Sequence, residues 1–278
     1  MPAEGRLKLK KFWNKLIFGV LIFILALFSI GGSISAANEP KVITAVFQNF
    51  NDLSQFTLNN STLSNNPGST GAVGPDGQRV LRLTRAARQQ SGSAFFTKRV
   101  SLVNQRSFSA HFSFQISASG GDFGIPGADG LSFIIQTVNN NVGSNGGGIG
   151  YQGISPSIAV EFDTWRNDES YARDPNDNHI GINLNGNMIS EVTATNLPGN
   201  LKSGIWYAWV NYNGDTKKLE VRASQNSKSR PASPILSYDV DLKWCSIKMK
   251  CLSALRLRPA AVGEIMISVT FISITTTR

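Results

Sequence analysis

From residue 94 to residue 212 the chain is written largely in short alternating runs. They are A-F-F-T-K-R-V-S-L (Ala94 to Leu102), S-A-H-F-S-F-Q-I (Ser109 to Ile116), L-S-F-I-I-Q (Leu131 to Gln136), S-I-A-V-E-F (Ser157 to Phe162) and W-Y-A-W-V-N-Y (Trp206 to Tyr212). Successive side chains of a strand point to opposite faces, so a period of two reads as strands with at least one face in a core. Clusters of Gly, Asn, Ser and Pro separate the runs, and no long stretch of this section keeps a helical period. An all-β antiparallel sandwich is expected, as one domain over residues 38–242, without internal repeats. His111 falls in an alternating run with no acidic neighbour and reads as structural.

The two ends break this pattern. Arg6, Lys8, Lys10, Lys11 and Lys15 precede an apolar run from Leu16 to about Ile30, then G-G-S-I-S-A-A-N, the layout of a secretory signal peptide over residues 1–37 with cleavage near Ala36 or Ala37. The run is short for a membrane span, so a membrane partner is expected only if this segment stays attached as an anchor. Secretion, or display at the cell surface, is the expected localisation.

The net charge of +9 raises the question of nucleic acid. Its location answers against it: residues 1–37 carry +4 and residues 243–278 carry +5, so the middle section has no net charge. Both cysteines, Cys245 and Cys251, lie in the tail and say nothing about the redox setting of the sandwich.

Candidate chemistry is concentrated between Glu161 and His179, where the chain reads E-F-D-T-W-R-N-D-E-S-Y-A-R-D-P-N-D-N-H. Alternation places Glu161 and Asp163 on one strand face while Phe162 points into a core. Carboxylates, an amide and a main-chain carbonyl are hard oxygen donors suited to calcium. A histidine among them moves a second site toward a transition metal such as manganese. Asp163 and Asp174 each have two oxygens with which to bridge a pair of ions.

V-E-F-D-T-W-R-N (Val160 to Asn167), D-P-N-D-N-H-I-G-I-N-L-N (Asp174 to Asn185) and G-A-D-G-L-S-F-I-I-Q (Gly127 to Gln136) resemble the legume-type (L-type) lectins. Flanking strings agree: F-Q-N-F near Phe47, L-R-L-T with Q-S-G-S-A-F-F (Leu81 to Phe96), and W-Y-A-W-V-N-Y-N with K-K-L-E-V-R (Trp206 to Arg222). Their order and spacing carry the resemblance over about residues 43–242, and the expected member is of a secreted, bacterial-like type. The resemblance implies a concanavalin-like jelly-roll sandwich and a non-catalytic carbohydrate-binding protein. By matching position, it implies manganese on Glu161, Asp163, Asp174 and His179, with calcium on Asp163, the Trp165 carbonyl, Asn167 and Asp174. It further implies a sugar site formed by Asp129, Gly146, Gly147, Trp165 and Asn167, with a cis peptide at Ala128–Asp129. In the family the ions fix the loop on which the sugar contacts converge, so metal loss is expected to abolish binding. One departure is the interval from Asn167 to Asp174, which is a little longer than in plant members. It leaves Asp168, Glu169 and Asp177 open as alternative ligands.

The tail W-C-S-I-K-M-K-C-L-S-A-L-R-L-R-P-A-A-V-G-E-I-M-I-S (Trp244 to Ser268) resembles nothing in the family, which needs a closing strand and a sugar-site loop there. Joining each codon's third base to the first two of the next permits V-L-N-Q-N-E-V-F-V-G-F-T-A-A-T-G-S-G-W-G-N-H-D-I. Met249 before Lys250 forces Glu in that frame, and Met266 before Ile267 forces Asp. V-G-F-T-A-A-T-G and N-H-D-I resemble the missing strand and loop, so a frameshift near codon 243 is expected, with an aberrant tail over 243–278. The competing account is a divergent C-terminus in which I-M-I-S-V-T-F-I-S-I supplies a replacement strand.

Two other functions fit parts of the pattern. A glycoside hydrolase on a similar sandwich needs a second well-placed carboxyl group, but its place on the strand falls near Arg166. An adhesion module would use the metals for stability alone and bind no sugar. Glycans are the expected partners of the lectin reading, and a homodimer formed through exposed sheet faces stays open.

Overall fold

The structure is a computed structural model, and it describes residues 43–45, 50, 53–59, 80–84, 92–97, 102, 107–116, 127–138, 146–168, 170–244, 252–257 and 265–274. For 43–45, 146, 252–257 and 265–274 only the backbone is described. The chain divides into two units at Glu39/Pro40. The first unit holds the whole of the expected signal peptide and its cleavage point, and it lies outside the described residues, as do Cys245, Cys251 and the segment 258–264. Among the described residues no helix is long and apolar enough to cross a membrane.

Among the described residues fourteen strands form two antiparallel sheets. In chain order they are β1 (Ile43–Ala45), β2 (Phe56–Asn59), β3 (Leu81–Thr84), β4 (Gly92–Phe96), β5 (Phe108–Ile116), β6 (Gly130–Gln136) and β7 (Ser157–Asp163). There follow β8 (His179–Leu184), β9 (Val192–Ala194), β10 (Trp206–Asn213), β11 (Lys218–Gln225), β12 (Leu236–Asp239), β13 (Leu252–Leu257) and β14 (Ile265–Ile274). One sheet runs β1-β14-β5-β10-β11-β12, with β3 also on β14; the other runs β2-β4-β13-β6-β7-β8-β9.

The alternating runs become β4, β5, β6, β7 and β10, as their period of two requires. Their inward residues meet between the sheets. Phe112 and Phe114 of β5 pack on Phe133 of β6 and Phe162 of β7, with ring centroids 5.9 Å apart for Phe112–Phe133 and 4.9 Å for Phe114–Phe162. Trp206, Val210, Ile180 and Ile182 fill the same core and are fully buried. His111 stacks flat on Trp209 at 4.6 Å, and burial lowers its pKa, in keeping with a packing role.

The segment that looked foreign in the sequence supplies two inner strands. β13 lies between β4 and β6, and β14 between β5 and the pair β1 and β3. The bounds of β14 coincide with the run I-M-I-S-V-T-F-I-S-I. Both positions have hydrogen-bonded neighbours on each side, so the tail closes the sheets from within instead of forming an edge.

A second, smaller apolar cluster lies on the other face of the β6-β7-β8 sheet: Phe95, Ile134, Ile149, Tyr151, Ile154, Ala159, Ala172 and Met188. This is why every residue of β7 is buried. Ile158, Val160 and Phe162 point into the main core, and Ala159 into the second. Glu161 and Asp163 share the face of Ala159, so two carboxylates are committed to an interior.

Candidate metal and sugar site

Register assembles the cluster. Asp163 pairs with His179 and Glu161 with Gly181 across β7 and β8, which brings His179 onto the face of both carboxylates. Asp163, Asp174 and His179 each offer a ligand atom, all within 4.8 Å of one another and all buried. His179 Nε2 lies 3.6 Å from Glu161 Oε1 and 3.7 Å from Asp174 Oδ1, too far for direct hydrogen bonds. Its Nδ1 donates to the Asn176 carbonyl at 3.0 Å, which leaves Nε2 aimed at the carboxylates without a hydrogen-bond partner.

Each carboxylate is held by neighbours that leave it facing the cluster. Tyr151 Oη donates to Glu161 Oε2 at 2.5 Å and Ser190 Oγ to Oε1 at 2.6 Å. The Trp165 amide donates to Asp163 Oδ1 at 2.7 Å, and the Asn167 amide to Asp174 Oδ2 at 2.6 Å. Burial, then the charges of Glu161 and Asp174, push the Asp163 carboxyl well above the usual carboxylate range. Burial also raises Asp174. For His179 burial alone would lower the pKa, but Glu161 and Asp174 outweigh it and hold it above its ordinary value. Anionic oxygens this close, around an unpaired imidazole nitrogen, are a site built for a cation or for protons.

The longer loop leaves its two ends together. Asp174 N donates to the Asn167 carbonyl at 3.3 Å while Asn167 N donates to the Asp174 side chain, so the chain leaves and rejoins the rim at one point. Asn167 Oδ1 is buried without a hydrogen-bond partner, a second orphaned oxygen or nitrogen on the same rim. The alternative ligands face elsewhere: Asp168 Oδ1 accepts from Ser170 N and Oγ, and Asp177 pairs with Lys202 Nζ at 2.9 Å. Glu169 lies outside the described residues.

Of the expected sugar contacts, Gly147 comes up against Asn167 on this rim. Ala128–Asp129 is a cis peptide, Asp129 is buried, and its carbonyl accepts from Thr164 N at 3.0 Å. Gly146, Gly147 and Gly148 form one 3-10 turn rather than an open loop. A Cβ on Gly147 would stand 2.8 Å from Asn167 Nδ2 and 3.1 Å from Tyr171 Cε1, so glycine lets the backbone approach the metal loop. Trp165 is half-buried, neither wholly core nor wholly exposed. Tyr171, Tyr151, Ser190 and Gly181 were missed by sequence reading. Only register and loop closure bring them here, although an aromatic inside a lengthened loop was a visible signal for Tyr171.

Gly181 illustrates the tolerance of the site. A Cβ there would fall 2.4 Å from both Glu161 Oε1 and Ser190 Oγ. Gly181→Ala is therefore expected to displace the Glu161 carboxylate and weaken transition-metal binding by about 10–100-fold with little change in secondary structure. Metal titration followed by calorimetry checks this, and unchanged affinity would show that Glu161 can move freely.

Comparison with known proteins bears on the family and the fold. The legume lectin domain matches residues 46–251. A probable L-type lectin-domain containing receptor kinase S.7 of Arabidopsis thaliana is 30% identical over 230 residues, 75% of this chain and 32% of that protein. The chain spans about a fifth to a third of the length of the receptor kinases it matches. Peanut lectin solved with a 9mer peptide aligns with a TM-score of 0.68 at 19% identity, over 86% of this chain and 99% of its own. Basic winged bean lectin solved with Tn-antigen aligns at 0.64 and 25% identity, over 86% and 100%.

Proposed function

This chain belongs to the legume lectin domain family, and on that footing we propose that it is a secreted lectin whose glycan binding depends on calcium and manganese and involves no catalysis. Carbohydrate binding as such follows from the family; the metals, the secretion and the site residues are the finer reading. The observation that carries it is the pair of buried, unpartnered ligand atoms, Asn167 Oδ1 and His179 Nε2, on the two sides of the Asp174 carboxylate loop.

Glu161, Asp163, Asp174 and His179 would hold manganese. Asp163, the Trp165 carbonyl, Asn167 and Asp174 would hold calcium. The donor set fits, since oxygens dominate and one imidazole nitrogen joins them. The bound ions supply fixed positive charge that neutralises the crowded carboxylates. The protein does the rest. Tyr151 and Ser190 orient Glu161, and the Trp165 and Asn167 amides orient Asp163 and Asp174. The Asp129 carboxylate, the Gly146–Gly147 backbone and the Asn167 amide then present directional groups to sugar hydroxyls. Trp165 offers an aromatic surface for an apolar C–H face.

Secretion rests on the basic-then-apolar layout of residues 1–37. The shifted frame after Lys243 rests on the forced Glu and Asp codons and on the family-like strings it restores. In the present frame the slot between β4 and β6 is filled by β13. Resequencing the DNA from the codon of Ile235 to the stop is expected to recover V-G-F and N-H-D-I in one frame; an unbroken frame matching the present residues would refute the shift. Glycan-array binding of the corrected chain, with and without calcium, then tests the lectin reading itself. No bound glycan on any array would reject it in favour of an adhesion module.

A further inference from the structure

The metal loop carries an aromatic ring that the matched site positions do not use. Tyr171 stands on the excursion between Asn167 and Asp174 and is one of three large apolar side chains exposed among the described residues, with 36% of its surface accessible. Its Cε1 lies 3.1 Å from where a Gly147 Cβ would be, directly beside the Asn167 amide. Tyr171 thus borders two of the residues assigned to the sugar, Gly147 and Asn167.

Its surroundings hold it in place. The hydroxyl donates to Gln152 Oε1 at 2.8 Å, which fixes the ring from its polar end. Tyr171, Ala172 and Arg173 amides all donate to the Asp168 carbonyl, and Asp168 Oδ1 takes two further bonds from Ser170. Ala172, the next residue, is buried in the second apolar cluster, and Arg173 turns the chain back with a φ of 60°. An exposed aromatic ring braced in this way has little conformational entropy left to lose when a ligand lies against it.

We propose that Tyr171 extends the combining site beyond one monosaccharide, by stacking on the apolar C–H face of the adjoining residue of an oligosaccharide. The inference rests on the lectin reading above. Asp129, Gly147 and Asn167 would satisfy the hydroxyls of the first sugar, while the exposed Tyr171 ring stands beside Gly147 with its hydroxyl already paired. What remains to offer is a ring surface, and the complementary chemistry is a saccharide C–H face.

The test uses the full chain and immobilised mono-, di- and trisaccharides built on galactose, N-acetylgalactosamine, mannose, glucose and fucose, with affinities by calorimetry for the sugars that bind. Tyr171→Ala is expected to weaken oligosaccharide binding about tenfold while monosaccharide affinity and calcium content stay within about twofold. Tyr171→Phe keeps the ring and is expected to retain oligosaccharide affinity within about threefold. Unchanged oligosaccharide affinity in Tyr171→Ala overturns the inference. So does an equal loss for mono- and oligosaccharides, which would place Tyr171 at the first sugar or in loop stability. A wild-type chain that binds calcium but no sugar overturns both this inference and the lectin reading, and so is told apart from failure of the inference alone.

Discussion

Treating the metal-loaded protein with a chelator is expected to abolish glycan binding, by more than about 100-fold, and calcium with manganese should restore it. The carboxylates of Glu161, Asp163 and Asp174 face one another in a buried cluster with His179, and Asp163 is already pushed well above its usual range by burial and by those neighbours. Without cations the cluster is relieved only by protonation or by movement of the 163–174 loop. That loop carries Asn167 and Trp165 and touches Gly147, so its movement disperses the sugar contacts. Ions held at 100 to 1,000 times their dissociation constant stabilise a fold by about 3–4 kcal/mol, which for a domain of this size is about 10 °C in Tm.

The same chemistry sets the pH dependence. Asp163, Asp174 and His179 hold protons more tightly in the metal-free fold than in the unfolded chain. Their contribution to metal-free stability is present at low pH and is lost as pH rises through the raised values. Cations replace those protons, so the Tm gap between metal-loaded and metal-free protein should widen as pH rises from about 5 to about 8. Paired thermal melts across that range check it. A gap that is flat with pH, or sugar binding that survives chelation, would remove the metal loop from the mechanism.

Asp129→Ala should eliminate sugar binding while leaving metal content and fold in place. It is buried, and its carboxylate is not one of the group of close ligand atoms around His179. Two charge-assisted hydrogen bonds to sugar hydroxyls, at about 1.5–3 kcal/mol each, correspond to a loss of at least about 100-fold. The Asp129 carbonyl, which anchors Thr164 N, remains in the variant backbone. Calorimetry against the bound sugar, with metal analysis and circular dichroism on the same sample, separates the outcomes. Binding retained within about threefold refutes the role of Asp129; simultaneous loss of calcium would make it a support of the metal loop rather than a sugar contact.

Much of the fold could be read from residues alone. The runs of β5, β6, β7 and β10 alternate because each has a face in the sandwich core, and a period of two is a local property of the chain. The carboxylate pair was legible for the same reason: Glu161 and Asp163 are two apart on a strand. The tail was harder, because its strings match no familiar pattern and its strand positions depend on vacant places between β4 and β6 and beside β5.

By itself, then, the sequence determined the strand periodicity, the acidic face of β7 and the inventory of oxygen and nitrogen donors, since these depend on neighbours along the chain. Only the tertiary structure decided that Gly181 leaves room for Glu161, that Tyr151 and Ser190 orient it, and that the loop closes to set Tyr171 over Gly147. Those are contacts between residues far apart in sequence, fixed by strand register and loop closure, and a one-residue slip of β8 would turn His179 away from the carboxylates while changing no residue.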